Sequence, residues 1–213
     1  MSSAKKWSNV AVAMESAIGA DITITAISKA AEGVVTATNS LANGDFVKLT
    51  VQGMFQMNGR VARVKTVSGT GFTLEGVDTT LFDTFTSGTA NKITFGTSIT
   101  TATTLTASGG DYDFIDTTTI HIANKTQVPG VASAASYTFD NIWDVTDAGL
   151  LAMKLAGDAQ AQRAFKFTFG TGGQIMVFSG YVAANLLPRG SAQQLVTTPS
   201  VITMFGSPTY YAS

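Results

Sequence analysis

The chain has 213 residues, of which 45% are hydrophobic and only 13% charged, with a formal net charge of −1; that is enough apolar material for a real core, with about half the charge of an average soluble domain. The absence of cysteine excludes disulfides, thiolate catalysis and cysteine zinc sites, and a lone histidine excludes a histidine metal cluster. A near-neutral balance gives no overall attraction for nucleic acid, and so little charge points either to contact with other copies or to a Thr/Ser/Gly-rich β surface.

Lys5 and Lys6 before the apolar run at residues 10–13 imitate the start of a signal peptide, but Glu15 ends the run too early. No stretch reaches the roughly 18 apolar residues of a membrane span, so the expectation is a chain made and assembled in the cytoplasm without a membrane partner. Residues 22–27 alternate apolar and small polar side chains and predict the first strand. From 31 to 91 the punctuation becomes regular. Strands are predicted at 33–38, 46–51, 60–67 and 72–75, separated by turns at Asn43-Gly44-Asp45, Asn58-Gly59 and Ser68-Gly69-Thr70-Gly71. Short strands at that spacing predict a small β-barrel, residues 31–91, inserted into a larger domain formed by 1–30 and 92–213.

Residues 95–119 are rich in Thr, Ser and Gly and strand-like, and they open an acidic stretch. Between Gly96 and Asp140 stand Asp111, Asp113, Asp116 and Asp140 against Lys125 alone. At strand spacing Asp111 and Asp113 share one face, with Tyr112 and Phe114 on the other. Val128-Pro129-Gly130 predicts a loop. Asp144-Val145-Thr146-Asp147 supplies an acidic first turn with capping side chains, and Leu150, Leu151, Met153 and Leu155 an apolar face. Together they predict one helix, with Gly157 as its stop and Trp143 packed at its start. Phe165, Phe167 and Phe169 form one face of a strand that turns at Gly170-Thr171-Gly172-Gly173 and returns as Ile175-Met176-Val177-Phe178. A last strand is expected at 201–205, between Pro199 and Pro208.

No catalytic constellation emerges. A Ser-His-Asp set would have to use His121, and no serine has a nucleophile-elbow sequence around it. Asp111, Asp113 and Asp116 are too sparse for a calcium loop and lack its closing Glu. The glycine turn joins two strands and has no helix N-terminus to cradle phosphate. Arg60, Arg63 and Lys65 come without a stacking platform for bases. No enzyme activity, cofactor or metal is expected.

The second half resembles the tail tube proteins of lambda-type siphophages. The residues that carry the likeness are Asp147-Ala148-Gly149-Leu150-Leu151-Ala152-Met153, Gly157-Asp158 and Arg163-Ala164-Phe165-Lys166-Phe167-Thr168-Phe169. After the glycine turn follow Val177-Phe178-Ser179-Gly180-Tyr181-Val182 and Phe205-Gly206-Ser207-Pro208. It covers roughly residue 93 to the C-terminus, plus 7–29. Within 31–91, Gly44-Asp45-Phe46-Val47, Met57-Asn58-Gly59-Arg60-Val61 and Phe72-Thr73-Leu74-Glu75 resemble the barrel module named after the first catalytic-cysteine half-domain of ubiquitin-activating enzymes. No ubiquitin chemistry comes with it, since the chain has no cysteine.

The tail-tube resemblance implies a mainly β fold: a β-sandwich with one flanking α-helix, plus the inserted barrel. It implies a homo-oligomer of hexameric rings stacked into the tube of a virion tail, meeting tape-measure, terminator and distal tail proteins. DNA would pass through the lumen on ejection without specific binding. On that reading Asp111, Asp113 and Asp116 are candidate lumen-facing residues, a negative wall that repels phosphate. The alternative is a non-enzymatic virion surface or carbohydrate-binding β module, with Trp143 and Tyr210-Tyr211 as sugar-stacking residues.

Overall fold

The computed structural model describes residues 9–170 and 172–212; Lys5, Lys6, Trp7 and the turn residue Thr171 lie outside them. The fold is mainly β with one helix. The first half of the chain contributes β1 (Val10–Ile24), β2 (Ala26–Ile27), β3 (Val34–Thr36), β4 (Phe46–Gln52), β5 (Val61–Ser68) and β6 (Gly71–Leu74). Then come β7 (Ser87–Ile99), β8 (Ala102–Ser108), β9 (Tyr112–Asp116), β10 (Gln127–Ala132) and β11 (Ser136–Ile142). The helix α1 (Ala148–Asp158) precedes β12 (Arg163–Phe169), β13 (Ile175–Ala184) and β14 (Thr197–Tyr211).

Twelve strands form one curled sheet in the order β2-β3-β6-β5-β4-β7-β1-β12-β13-β14-β11-β8, and β9 and β10 pair separately as a two-stranded ribbon. Three buried clusters stabilise it. The first gathers Val35, Val47, Leu49, Met54, Met57, Val64, Phe72 and Leu74 with Ile24, Ile27 and Ala90. The second packs Phe139, Phe165, Phe167, Phe178 and Ile202 beneath Leu150, Met153 and Ala156 of α1. The third and smallest lies where the sheet curls back on itself, around Val61, Ile93, Ala164, Val177 and Tyr211. Strands β1 and β7 run through both halves, paired antiparallel from Val12↔Ile99 to Ile24↔Gly88.

Several elements differ from the sequence reading, each for a physical reason. The first strand starts at Val10 rather than 22, because its alternation is broken by register shifts at Met14/Glu15, Glu15/Ala17 and Ile18/Asp21. Glu15, which reads as the end of an apolar run, is buried inside the strand, neutralised by Arg163 at 3.0 Å and accepting from the Ala164 amide. Residues 128–130 are not a loop but lie within β10; proline is tolerated because a two-stranded ribbon leaves half its backbone donors outside the ladder. The helix begins four residues after its first acid. Asp147 is the N-cap, accepting from the Leu150 amide at 2.8 Å, while Asp144 caps the preceding turn through Thr146. Gly157 does not stop the helix. It sits inside the last turn, where a Cβ would come within 3.1 Å of the Val182 carbonyl. The last strand runs through both prolines, and the register shift opposite Val177/Ser179 absorbs Gly206 and Pro208.

Candidate assembly surfaces

Three surfaces carry polar or apolar groups that the isolated chain does not use. The first is the β9–β10 arm. It continues the β8–β11 ladder but is turned out of it at Gly109 and Gly110, both at positive φ; a Cβ on Gly109 would stand 2.3 Å from the Ala134 carbonyl. The arm pairs Asp116↔Gln127, Ile115↔Val128 and Phe114↔Pro129. Every side chain of β9 is exposed, Phe114 to 63% and Ile115 to 58%. Apolar groups thus project from both faces of a ribbon with no core beneath it. An isolated two-stranded ribbon is marginal in water, and contiguous exposed apolar surface of this kind marks a contact site.

The acidic residues of the sequence reading lie on this arm, but on different faces. Asp111 and Asp113 share one side, whereas Asp116 belongs with Tyr112 and Phe114. Asp116 is engaged: Thr118 donates to it and Lys125 lies 3.3 Å away, and these hydrogen bonds hold its carboxyl below the usual range. Among the described residues, Asp111 and Asp113 are the carboxylates whose side chains accept no hydrogen bond and join no ion pair.

The second surface is β8 itself, one of the two outer strands of the large sheet, paired on one side to β11 from Ala102↔Asn141 to Ser108↔Ser136. Its sequence, Ala-Thr-Thr-Leu-Thr-Ala-Ser, contains no charge and no proline, and only Leu105 is half-buried. Soluble proteins ordinarily blunt such an edge with Lys, Pro or a bulge. Here it is left open.

The third surface borders the small core. Phe46 and Phe95 meet edge-on at 5.4 Å, and the Lys166 ammonium lies 5.2 Å from the Phe95 ring centre and 5.7 Å from that of Phe46. Lys48, two residues beyond Phe46 and so on the same face, makes no hydrogen bond or ion pair. Its burial pushes its pKa down, against the pull of the Glu15 carboxylate. Beside it the first and second halves are clamped together. Arg63 grips Glu75 through two hydrogen bonds at 2.6 and 2.8 Å and lies 4.5 Å over the Tyr211 ring. Its amide donates to the Tyr211 hydroxyl, whose pKa burial pushes up to about 12. Arg60 donates to Thr209, Ser179 donates to the Gly59 carbonyl, and a Cβ on Gly59 would strike the Phe205 ring.

Nothing among the described residues assembles a catalytic or metal site. No group of three or more His, Asp or Glu side chains converges, and His121 is exposed in a turn of the arm. A hollow of about 740 Å³ between the end of α1 and β13 contains a single carboxylate, Asp158, already bound by Lys154. The stacking residues of the alternative reading do not converge either. Tyr210 is exposed while Tyr211 is buried, and Trp143 donates its ring N–H to the Leu186 carbonyl at 2.8 Å. The open edge, Lys48 and Lys166 were not singled out from sequence. Their only signal is negative: a strand without gatekeepers, and two lysines with no carboxylate at the i+4 or cross-strand positions that pattern analysis inspects.

A comparison with protein-family models matches residues 52–213 to the family described as phage tail tube protein, TTP. A comparison with curated proteins finds no match.

Proposed function

Because the chain belongs to the phage tail tube protein family, and is therefore a structural, non-enzymatic subunit of a virion tail that self-assembles into a tube, we propose that it does so as stacked hexameric rings. The tube is that of a long non-contractile, lambda-type siphophage tail, assembled in the host cytoplasm on tape-measure, terminator and distal tail proteins, and DNA leaves through its lumen. The observation that carries this reading is the open edge of β8 continuing into the apolar β9–β10 arm. An edge without gatekeepers is satisfied when the next copy continues the sheet, and a ring of copies removes the edge altogether. An arm leaving the plane of that contact engages a different face of another copy. Such a heterologous contact does not close and so propagates a filament.

Residues 31–91 are on this reading a unit set into the tube fold. The first core supports it, since nearly all of its members lie between Val35 and Ala90.

Two proline substitutions on β8 test the edge. Backbone N–H groups alternate between β11 and the outside along an edge strand, so of Thr106→Pro and Ala107→Pro one removes an inner donor and the other an outer one. The outer one is expected to leave the melting temperature of the monomer unchanged and to abolish tubes in negative-stain microscopy. Tubes of normal appearance from both variants would exclude β8 as the growing edge.

A further inference from the structure

We propose that Asp111 and Asp113 of one copy pair with Lys48 and Lys166 of a neighbouring copy, so that the acidic face of the arm seats on the aromatic-lined basic face of β4, β7 and β12. The proposal rests on the reading of the chain as self-assembling, and it names which surfaces meet.

Nearly all the carboxylates among the described residues already have partners within the chain. Every other side-chain carboxylate among the described residues is already satisfied: Glu15 by Arg163, Glu32 by Lys65, Asp45 by Lys92, Glu75 by Arg63, Asp116 by Lys125, Asp140 by Arg189, Asp158 by Lys154. Asp21, Asp78, Asp83, Asp144 and Asp147 accept from Asn91, Thr80, Gln56, Thr146 and the Leu150 amide. Only Asp111 and Asp113 are left, two residues apart on one face of an exposed strand. Among the described lysines, Lys29, Lys48 and Lys166 form no hydrogen bond or ion pair. Two of these three share one face: Lys166 lies over the Phe46 ring, and Lys48 is the next side chain after Phe46 on that face of β4.

The two leftover pairs cannot meet within one chain without undoing the fold. Lys48 belongs to β4, held between β5 and β7, while the arm leaves the sheet at the far end beyond β11 and β8. Between copies nothing prevents it. The basic face carries Lys48, Lys166 and Arg163 against two carboxylates, Glu15 and the Asp21 that Asn91 holds across from Lys48, and is still net positive, whereas the arm is net negative. Carboxylates arriving there would relieve the cost of a half-buried, unpaired Lys48, and Tyr112 and Phe114 on the arm's other face would remain to meet a further apolar surface.

Charge exchange tests this. The double variant Asp111→Lys/Asp113→Lys is expected to polymerise at least about tenfold more slowly at low salt than the unmodified chain, with a difference that shrinks as salt rises. Lys48→Asp/Lys166→Asp should do the same. Should the second pair disturb the monomer, Lys48→Met/Lys166→Met keeps the apolar stems and reads the loss of charge alone. An equimolar mixture of the two reversed proteins is expected to recover the unmodified rate to within about threefold. The natural absence of cysteine permits a direct check. Asp113→Cys and Lys166→Cys chains, mixed and treated with a disulfide oxidant, should yield a covalent dimer that neither forms alone. If the unmodified chain polymerises and the reversed variants keep pace with it, the pairing is wrong while self-assembly stands; normal tubes that impede DNA passage would place these carboxylates on the channel wall instead. If the unmodified chain never polymerises, the tube reading itself fails and the pairing fails with it.

Discussion

The β12–β13 hairpin and the β9–β10 arm are built from the same material, strands of alternating apolar and polar residues joined by short turns, yet one is the best-packed part of the molecule and the other is almost bare. In the hairpin Phe165 stacks on Phe178 at 5.6 Å, and Phe167 meets Tyr137, Phe178 and Phe139 at 5.2, 5.5 and 6.2 Å. Its other face is buried as well, with Ala164 and Val177 in the third core. In the arm Tyr112, Phe114 and Ile115 touch water. Alternation therefore says that a segment is a strand and which residues share a face. What covers that face depends on the neighbours, and for the arm the neighbours are not in this chain.

The contrast is broken most severely from the hairpin side. Phe167→Ala removes a ring that is fully buried and touched by three others, and is expected to cost about 3–5 kcal/mol of monomer stability, read as a lower midpoint in chemical denaturation. A loss below about 1 kcal/mol would mean that the second core refills the space, and that hairpin and arm differ less than their packing indicates. Glu15→Ala comes next. It strands the Ala164 amide and the Arg163 guanidinium between two cores, at a cost of about 1–3 kcal/mol by the same measurement.

A pH scan sharpens the comparison between the clamp and the arm. Hydrogen bonds from Arg63 hold the Glu75 carboxyl below its usual value, so the folded pKa is the depressed one. The stability this pair contributes is complete above the ordinary Glu range and is lost as pH falls through the lowered folded value. Acidification from about pH 5 to about pH 3 should therefore lower the melting temperature of the unmodified chain more than that of Glu75→Gln. Equal losses in both would show that the Arg63–Glu75 pair beside Tyr211 adds nothing to the stability of the fold.

Much of this architecture is legible in the sequence, and the illegible parts share a cause. The strands of 46–51, 60–67 and 72–75 announce themselves because turn residues punctuate them: Gly44 and Gly59 both have positive φ, and a Cβ on Gly71 would stand 2.7 Å from the Val35 carbonyl. The long β1 is hidden because its register shifts scramble the period and because Glu15 looks like a terminator until Arg163 is known to sit beside it. Val61 and Ala62 are both buried, which alternation forbids for a two-layer strand, because β5 lies between the first and third cores. The candidate site divides in the same way. Asp111 and Asp113 on one face follow from local spacing, whereas Lys48 and Lys166 are 118 residues apart in numbering, and only the order β4-β7-β1-β12 brings them together.

The smallest expected effect on the monomer is the most informative about the arm. Phe114→Ser removes an exposed ring, so nothing buried is lost, and the change in monomer stability should stay within about 0.5 kcal/mol. If the ring is buried in the assembled tube, its removal forfeits roughly 25 cal/mol for each Å² of apolar surface covered, once per subunit, and every subunit of a filament makes the contact. The critical concentration for tube growth should accordingly rise several-fold while the melting curve of the monomer is unmoved, a separation that Phe167→Ala cannot produce. Sedimentation of tubes against protein concentration measures the first quantity, and denaturation of the unassembled chain the second. A variant that melts early would mean that the arm folds back on its own subunit and is not the bare strand described here. A variant that melts normally and grows normally would leave the exposed rings without a role in assembly, and the open edge of β8 would then have to hold the copies together alone.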